Sequence, residues 1–193
     1  MRGVPWWVVV SSALAPILLI GGWTVAAARQ KPGFSSVRDT ISALAGYGAA
    51  DRWLMTAALY GVGVCHLVTA AGLREAALGG RLVLALGGLG TLAVAAFPLP
   101  AEGESRPHTS SAYVAFTALA LWPALSWHSG ADAFGLRPPV ALAAAGLLVA
   151  LSVWLAVSLD ADPAHVGLAE RAAAGAQALW PLFVVLTALG WLA

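Results

Sequence analysis

The stretch "PVALAAAGLLVALSVWLAVSL", residues 139–159, is apolar and carries no charged side chain. The hydrocarbon core of a bilayer is about 30 Å thick, and a helix needs roughly 20 apolar residues to cross it. Residues 139–159 therefore predict a transmembrane helix, and five more windows of this kind occur in the chain. The six predicted spans are residues 5–27, 52–73, 81–98, 110–127, 139–159 and 172–192.

The composition supports the same fold class. Of the 193 residues, 60% are hydrophobic and only 10% are charged, whereas a soluble domain has about 25% charged residues. The sequence predicts an all-α integral membrane bundle of six transmembrane helices, forming a single transmembrane domain over residues 1–193 of a multi-pass protein of the cell membrane. A net charge of +1 with scattered Lys and Arg excludes a nucleic-acid-binding surface. The oligomeric state stays open.

The polar residues are concentrated at one end of the predicted bundle. Residues 28–51, 99–110 and 160–171 connect spans on the same side, and they contain seven of the nine acidic residues and two of the four histidines. We call this side the motif end. Ionisable groups gain nothing for folding by gathering on one membrane face, so we expect a functional site there. The motif end has six Lys or Arg against four on the other side, which weakly favours a cytoplasmic location.

The segment "RDTISALAGYG", residues 38–48, lies in the first of these connections. Apolar and polar residues follow two separate stripes at helical spacing. The apolar stripe is Val37, Ile41 and Leu44, and the polar stripe is Asp39, Ser42 and Gly46. This pattern predicts a short interfacial helix between the first and second spans, with its polar stripe lining a pocket. Ser36 and Asp39 also have the spacing of a helix capping box, so a structural and a site role are both open for Asp39.

The other connections contribute further candidates. Asp162 precedes Pro163, which predicts an N-cap for the last helix, whereas Asp160 has no such structural explanation. Glu102 and Glu104 flank a glycine in a polar loop and are expected to be solvated. His108 comes just before the fourth span, at the membrane edge. It is the strongest single candidate for a functional residue.

The sequence resembles the family of bacterial membrane proteins called domain of unknown function 998 over nearly its whole length. The resemblance is carried by "DTISALAG" at 39–46, by Phe97 and Pro98, and by His108. Ala45 stands where that family commonly has glycine. An acidic residue often follows the Phe-Pro pair in the family, but here Leu99 and Pro100 follow it. The resemblance implies a shared fold and a shared polar face rather than a particular activity.

General acid–base catalysis is the chemistry that these residue types support most directly. The predicted catalytic residues are Asp39, His108 and Asp160, and the predicted substrate-binding residues are Ser42, His165, Trp122, Trp154 and Trp180. The three tryptophans fall inside predicted spans, where they either border a cavity or pack in the core. No cofactor is expected. A metal site is not predicted because no paired ligand motif lies on one helix, although zinc at Asp39, His108 and His165 stays an open alternative.

Three functions remain compatible with the sequence. The first is a membrane-embedded enzyme that acts on an amphiphilic lipid or isoprenoid by cyclisation-type or hydrolysis-type chemistry, with the bilayer and this substrate as its partners. The second is a binding or transport protein for a small molecule or lipid, in which His66, deep in the second span, is a midway station. The third is a non-catalytic membrane subunit. The lack of other ionisable residues at the depth of His66 favours the enzyme.

Overall fold

A computed structural model of the protein describes residues 3–192. Within this range the chain is all-helical, with seven α-helices, one short 3₁₀ turn and no β-strand. The helices are α1 (Trp6–Ala28), α2 (Ile41–Ala45), α3 (Trp53–Gly72), α4 (Leu78–Ala96), α5 (Arg106–Ser126), α6 (Pro138–Ala161) and α7 (Val166–Ala188). The 3₁₀ turn, Phe134–Leu136, precedes α6.

The six long helices form a closed ring. Each packs on the next along the chain, and α7 closes the ring on α1, while α2 lies at one end against α1, α3 and α7. Large apolar side chains point outward all around the ring, as Ile17, Leu86, Leu147 and Val157 do. Burying one stripe of each helix and exposing the rest as apolar surface is the pattern expected for helices surrounded by lipid.

Five of the six long helices, α1, α3, α4, α6 and α7, are long and apolar enough to cross a membrane. The remaining helix, α5, has 21 residues, but Arg106, His108 and a series of Ser and Thr residues make its first half too polar for the same criterion. Backbone hydrogen bonds form in a helix whether its side chains are polar or apolar. The helix α5 is therefore as long as a membrane span although its first half is polar.

The first four residues of α5 and the first six of α7 extend these helices beyond the predicted spans. The last predicted span begins at residue 172, but α7 begins at Val166 and includes Glu170 and Arg171. The predicted span stops at Glu170 and Arg171 because these side chains are charged. The helix includes them because both side chains form hydrogen bonds with residues 36–42 of the first connection. The early start of α7 places Glu170 inside the bundle, with the partly buried Arg171 beside it.

Glycine explains how α4 packs between its neighbours. A Cβ at Gly80 would overlap the backbone of Ser126, and one at Gly90 would lie 2.7 Å from the amide nitrogen of Ala115. Both positions face α5, and Gly88 makes a similarly close approach to Gly63 of α3. These glycines therefore allow close packing of α4, since small residues let membrane helices approach at backbone distance.

Candidate functional site

The three connections of the motif end meet one another. The Tyr47 amide donates to the Leu99 carbonyl at 2.9 Å, and the Leu168 amide donates to the Val37 carbonyl at 3.0 Å. Gly167 faces the backbone of Asp39 so closely that a Cβ would overlap it. The first connection is thus held on both of the others by main-chain hydrogen bonds, as the predicted convergence requires.

Glu170 is the centre of this arrangement. Its side chain is buried, and its carboxylate accepts hydrogen bonds from the Ile41 amide and from the Ser42 hydroxyl, the latter at 2.9 Å. The Thr40 hydroxyl accepts from the Ala43 amide at 3.0 Å. The first amides of a helix have no partner within the helix, and a negative charge near them is favourable. Glu170 therefore fixes α2 on α7 and orients Ser42.

Arg171 holds the turn that precedes α2. Its Nη1 donates to the carbonyls of Ser36, Asp39 and Gly167, at 2.8, 2.7 and 2.9 Å. These three carbonyls come from two connections, so one guanidinium joins them. Neighbouring residues of α7 thus fix both the turn and the short helix that follows it.

Asp39 has a capping role within the same turn. Its carboxylate accepts from the Ser35 amide at 2.6 Å, and its own amide donates to the Ser35 carbonyl at 2.7 Å. The partner is Ser35 rather than the Ser36 suggested by the capping-box spacing. The Asp39 carboxylate therefore closes the loop before α2.

A cavity of about 530 Å³ lies between α5 and α6 and reaches the motif end. Its polar end is formed by Thr40, Ser42, His108, Thr109 and Glu170, and mostly apolar residues of α5 and α6 form its walls. Tyr113, Leu121, Val153 and Leu159 line it and are also exposed on the outside of the ring. The cavity is therefore a groove that opens sideways, where lipid would surround the helices, and its size is typical of small-molecule sites.

His108 is buried in the first turn of α5 and faces this groove. Its Nδ1 lies 2.9 Å from the Phe97 carbonyl. A carbonyl can only accept a hydrogen bond, so Nδ1 carries the hydrogen in the neutral ring and Nε2 is free to accept a proton. Burial lowers the pKa of His108, and the hydrogen bond to Phe97 opposes that shift. Near neutral pH the ring is therefore in its proton-accepting form.

The remaining predicted polar residues lie outside the groove. Asp160 is exposed in the last turn of α6, and His165 is exposed with its Nδ1 2.9 Å from the carboxylate of Asp162. Asp162 was expected to be the N-cap of the last helix, but it is the C-cap of α6, and His165 precedes α7 without a side-chain cap. The prediction was wrong because a Pro-containing turn here ends one helix before it starts the next.

The three tryptophans lie in different surroundings. Trp122 is fully buried in the apolar core near the opposite end of the bundle, with Val8, Leu84 and Leu136. Trp180 packs on the same core and contacts Phe183, with the two ring centroids 5.0 Å apart and the ring planes tilted by 32°. Trp154 is partly exposed on the outer face of α6. Their surroundings are core and ring surface, away from the polar end of the groove.

A second, smaller cavity of about 60 Å³ lies inside the ring and shares Ser42 and Glu170 with the groove. His66 and Gln177 also line it. Within residues 3–192 the Nδ1 of His66 has no hydrogen-bond partner. The Gln177 amide donates to the Phe116 carbonyl of α5 at 3.0 Å and to the Ser152 hydroxyl of α6 at 3.1 Å.

The sequence analysis did not single out Glu170 and Gln177, and it also passed over Thr40 and Thr109 at the polar end of the groove. Glu170 was counted only as one acid of a connection, because it was placed outside the last span. The sequence contains a usable signal for Glu170 and Gln177: both lie in the small-residue run "GLAERAAAGAQALW", residues 167–180, where polar side chains need internal partners once the run is buried. Across the described range, no group of three or more His, Cys, Asp or Glu side chains is placed to hold a metal ion.

A ring of apolar helices with buried polar residues at one end defines a helical membrane protein of the multi-pass class. Within that class, the chain belongs to the family described as "Protein of unknown function (DUF998)", whose profile matches residues 13–187. The resemblance seen in the sequence is thereby confirmed. Neither the curated proteins nor the solved structures include a match to the chain.

Proposed function

We propose that the protein is a membrane-embedded enzyme that binds an amphiphilic lipid or isoprenoid in the groove between α5 and α6 and acts on its polar end by acid–base chemistry. The observation that carries this proposal is the groove itself. One cavity of about 530 Å³ combines apolar walls with a polar end that contains His108, Ser42 and Glu170. An amphiphile has an apolar chain that matches these walls and a polar head group that matches this end.

The proposed membrane arrangement follows from the helix lengths. We take residues 110–127 of α5 as the sixth span, because a helix packed between α4 and α6 crosses the same thickness as they do. The short helix α2 then lies at the interface, with His108 at the level of the head groups. The groove opens between α5 and α6, so a lipid enters sideways from one leaflet of the cell membrane.

In the proposed chemistry His108 is the general base. Its Nδ1 hydrogen is held by the Phe97 carbonyl, which directs the free Nε2 toward a substrate in the groove. Glu170 takes the carboxylate role first assigned to Asp39 and Asp160, since it lines the groove. Through its hydrogen bond it fixes the Ser42 hydroxyl, which orients the head group.

The test is a comparison of lipid products. Purified protein would be reconstituted with lipids extracted from the membranes of the expression host, and the lipids analysed by mass spectrometry over time. We expect a species that changes with the wild-type protein and not with His108→Ala. The matched control is His128→Ala, because His128 is exposed at the opposite end of the bundle. Equal lipid profiles for wild type and His108→Ala would refute the enzyme.

A binding or transport function is the second candidate, and the smaller cavity favours it. That cavity extends from Glu170 at the groove toward His66, deep in α3. A polar path through a membrane protein requires such residues at several depths. Transport predicts that His66→Leu abolishes uptake of a ligand into vesicles, whereas the enzyme predicts unchanged turnover in that variant.

A further inference from the structure

The shape of the groove restricts how many chains it holds. Its lining residues on α5 recur every three or four positions from His108 to Leu121, and those on α6 form one matching stripe from Val149 to Leu159. Because one stripe of α5 faces one stripe of α6, the groove has a single lane for a hydrocarbon chain. At the helical rise, the stretch from His108 to Leu121 is roughly 20 Å long, somewhat more than the roughly 15 Å of one hydrocarbon leaflet. A single chain within one leaflet fills it.

The polar end restricts the charge of the head group. Its ionisable members are His108 and Glu170, and no Lys or Arg lines the groove in the described part of the chain. Phosphate groups are bound by Arg, Lys, metal ions or free helix N-termini. At the start of α2 the Ile41 amide already donates to Glu170 and the Ala43 amide donates to Thr40. The Glu170 carboxylate would also repel an anion.

The hydrogen-bonding groups at this end complement a neutral head. The free Nε2 of His108 accepts a hydrogen, and the exposed Thr109 hydroxyl both donates and accepts. A hydroxyl head group donates to the first and accepts from the second. Carboxylate and imidazole therefore favour an alcohol over a phosphate ester of the same chain.

We infer that the groove binds a single-chain amphiphile with an uncharged hydroxyl head group, such as a long-chain or isoprenoid alcohol, and discriminates against the corresponding phosphate and diphosphate esters. This inference rests on the proposed function, since it names the class of substrate for that same groove.

The test uses two probes, hexadecanol carrying a diazirine in its chain and the phosphate monoester of the same alcohol. Full-length protein in nanodiscs of neutral lipid would be irradiated with each probe, and the labelled peptides identified by mass spectrometry. We expect the alcohol to label α5 and α6, and at least about tenfold more of the phosphate to be needed for equal labelling. Ala156→Trp, which fills the groove, should abolish the labelling. Ala143→Trp, on the exposed face of α6, should not.

The outcomes separate this inference from the proposed function. Labelling of α5 and α6 by the phosphate at equal or lower concentration overturns the inference and leaves the amphiphile groove in place; an anion held by the first turn of α5 and Arg106 would give this result. Labelling by neither probe, or labelling of wild type and Ala156→Trp alike, overturns both. The alcohol-to-phosphate comparison is made on the wild-type chain, so it does not depend on the folding of a variant.

Discussion

Replacing the buried carboxylate of Glu170 by an amide tests how α2 is held. In Glu170→Gln one side-chain oxygen still accepts a hydrogen bond, but the amide nitrogen faces a donor, either the Ile41 amide or the Ser42 hydroxyl. One buried donor is left without a partner, and the other bond loses its charge. A bond to a charged group contributes about 1.5–3 kcal/mol, and an unsatisfied buried donor costs about 1–3 kcal/mol. We expect the docking of α2 to weaken by about 2–3 kcal/mol.

Hydrogen exchange measured by mass spectrometry reports this loss directly. A change of about 2–3 kcal/mol in local opening speeds exchange roughly 30- to 150-fold, since about 1.4 kcal/mol corresponds to a factor of ten. The effect should be confined to peptides covering residues 36–46 and the start of α7. Glu104→Gln is the control, because Glu104 is exposed in a loop of the same end. Unchanged protection of residues 36–46 in Glu170→Gln would show that packing, rather than this carboxylate, holds α2.

Three further predictions concern packing, the groove and pH. Gly80→Ala should destabilise the protein by about 1–3 kcal/mol because the added Cβ overlaps α5. Gly79→Ala should not, because its Cβ would lie 3.6 Å from the Leu125 carbonyl oxygen, an ordinary contact. The free energies of unfolding of the two variants would be compared in detergent. Gln177→Leu removes the bonds to α5 and α6 and should reduce amphiphile binding in the groove, measured by the diazirine label. Burial lowers the pKa of His108, so the unfolded chain binds its proton more readily and stability should fall as the pH drops below about 6.5. His108→Gln should flatten that fall, and an unchanged pH profile would contradict it.

Much of the fold was predictable from the sequence because the free energy of placing a segment in the bilayer depends mainly on the hydrophobicity of that segment. Long apolar runs predicted six transmembrane helices. The structure has six long helices, and five of them are apolar enough to cross a membrane. The short helix between the first and second was predicted from the spacing of Ile41 and Leu44, and α2 is found there. Hydropathy marked the ends of α5 and α7 less well, since a helix does not end where its polarity changes.

The site was predictable in part. Ser42 and His108 were expected to belong together, and both line the groove. Asp39 and His165 were named for their residue type, but one closes a turn and the other pairs with Asp162 at the surface. Their partners are set by loop geometry, which composition and spacing do not encode. Glu170 was not named because its burial depends on the contact between α7 and the first connection.

The sequence by itself determined that the chain is a membrane-embedded helical bundle with a polar end, because transfer of apolar side chains into lipid depends on each segment alone. Tertiary structure decided which carboxylate is buried and placed the three predicted tryptophans in the apolar core or on the outer surface rather than in the groove. Those properties depend on which faces of distant helices meet, and the meeting of Glu170 with Ile41 and Ser42 joins residues more than a hundred positions apart.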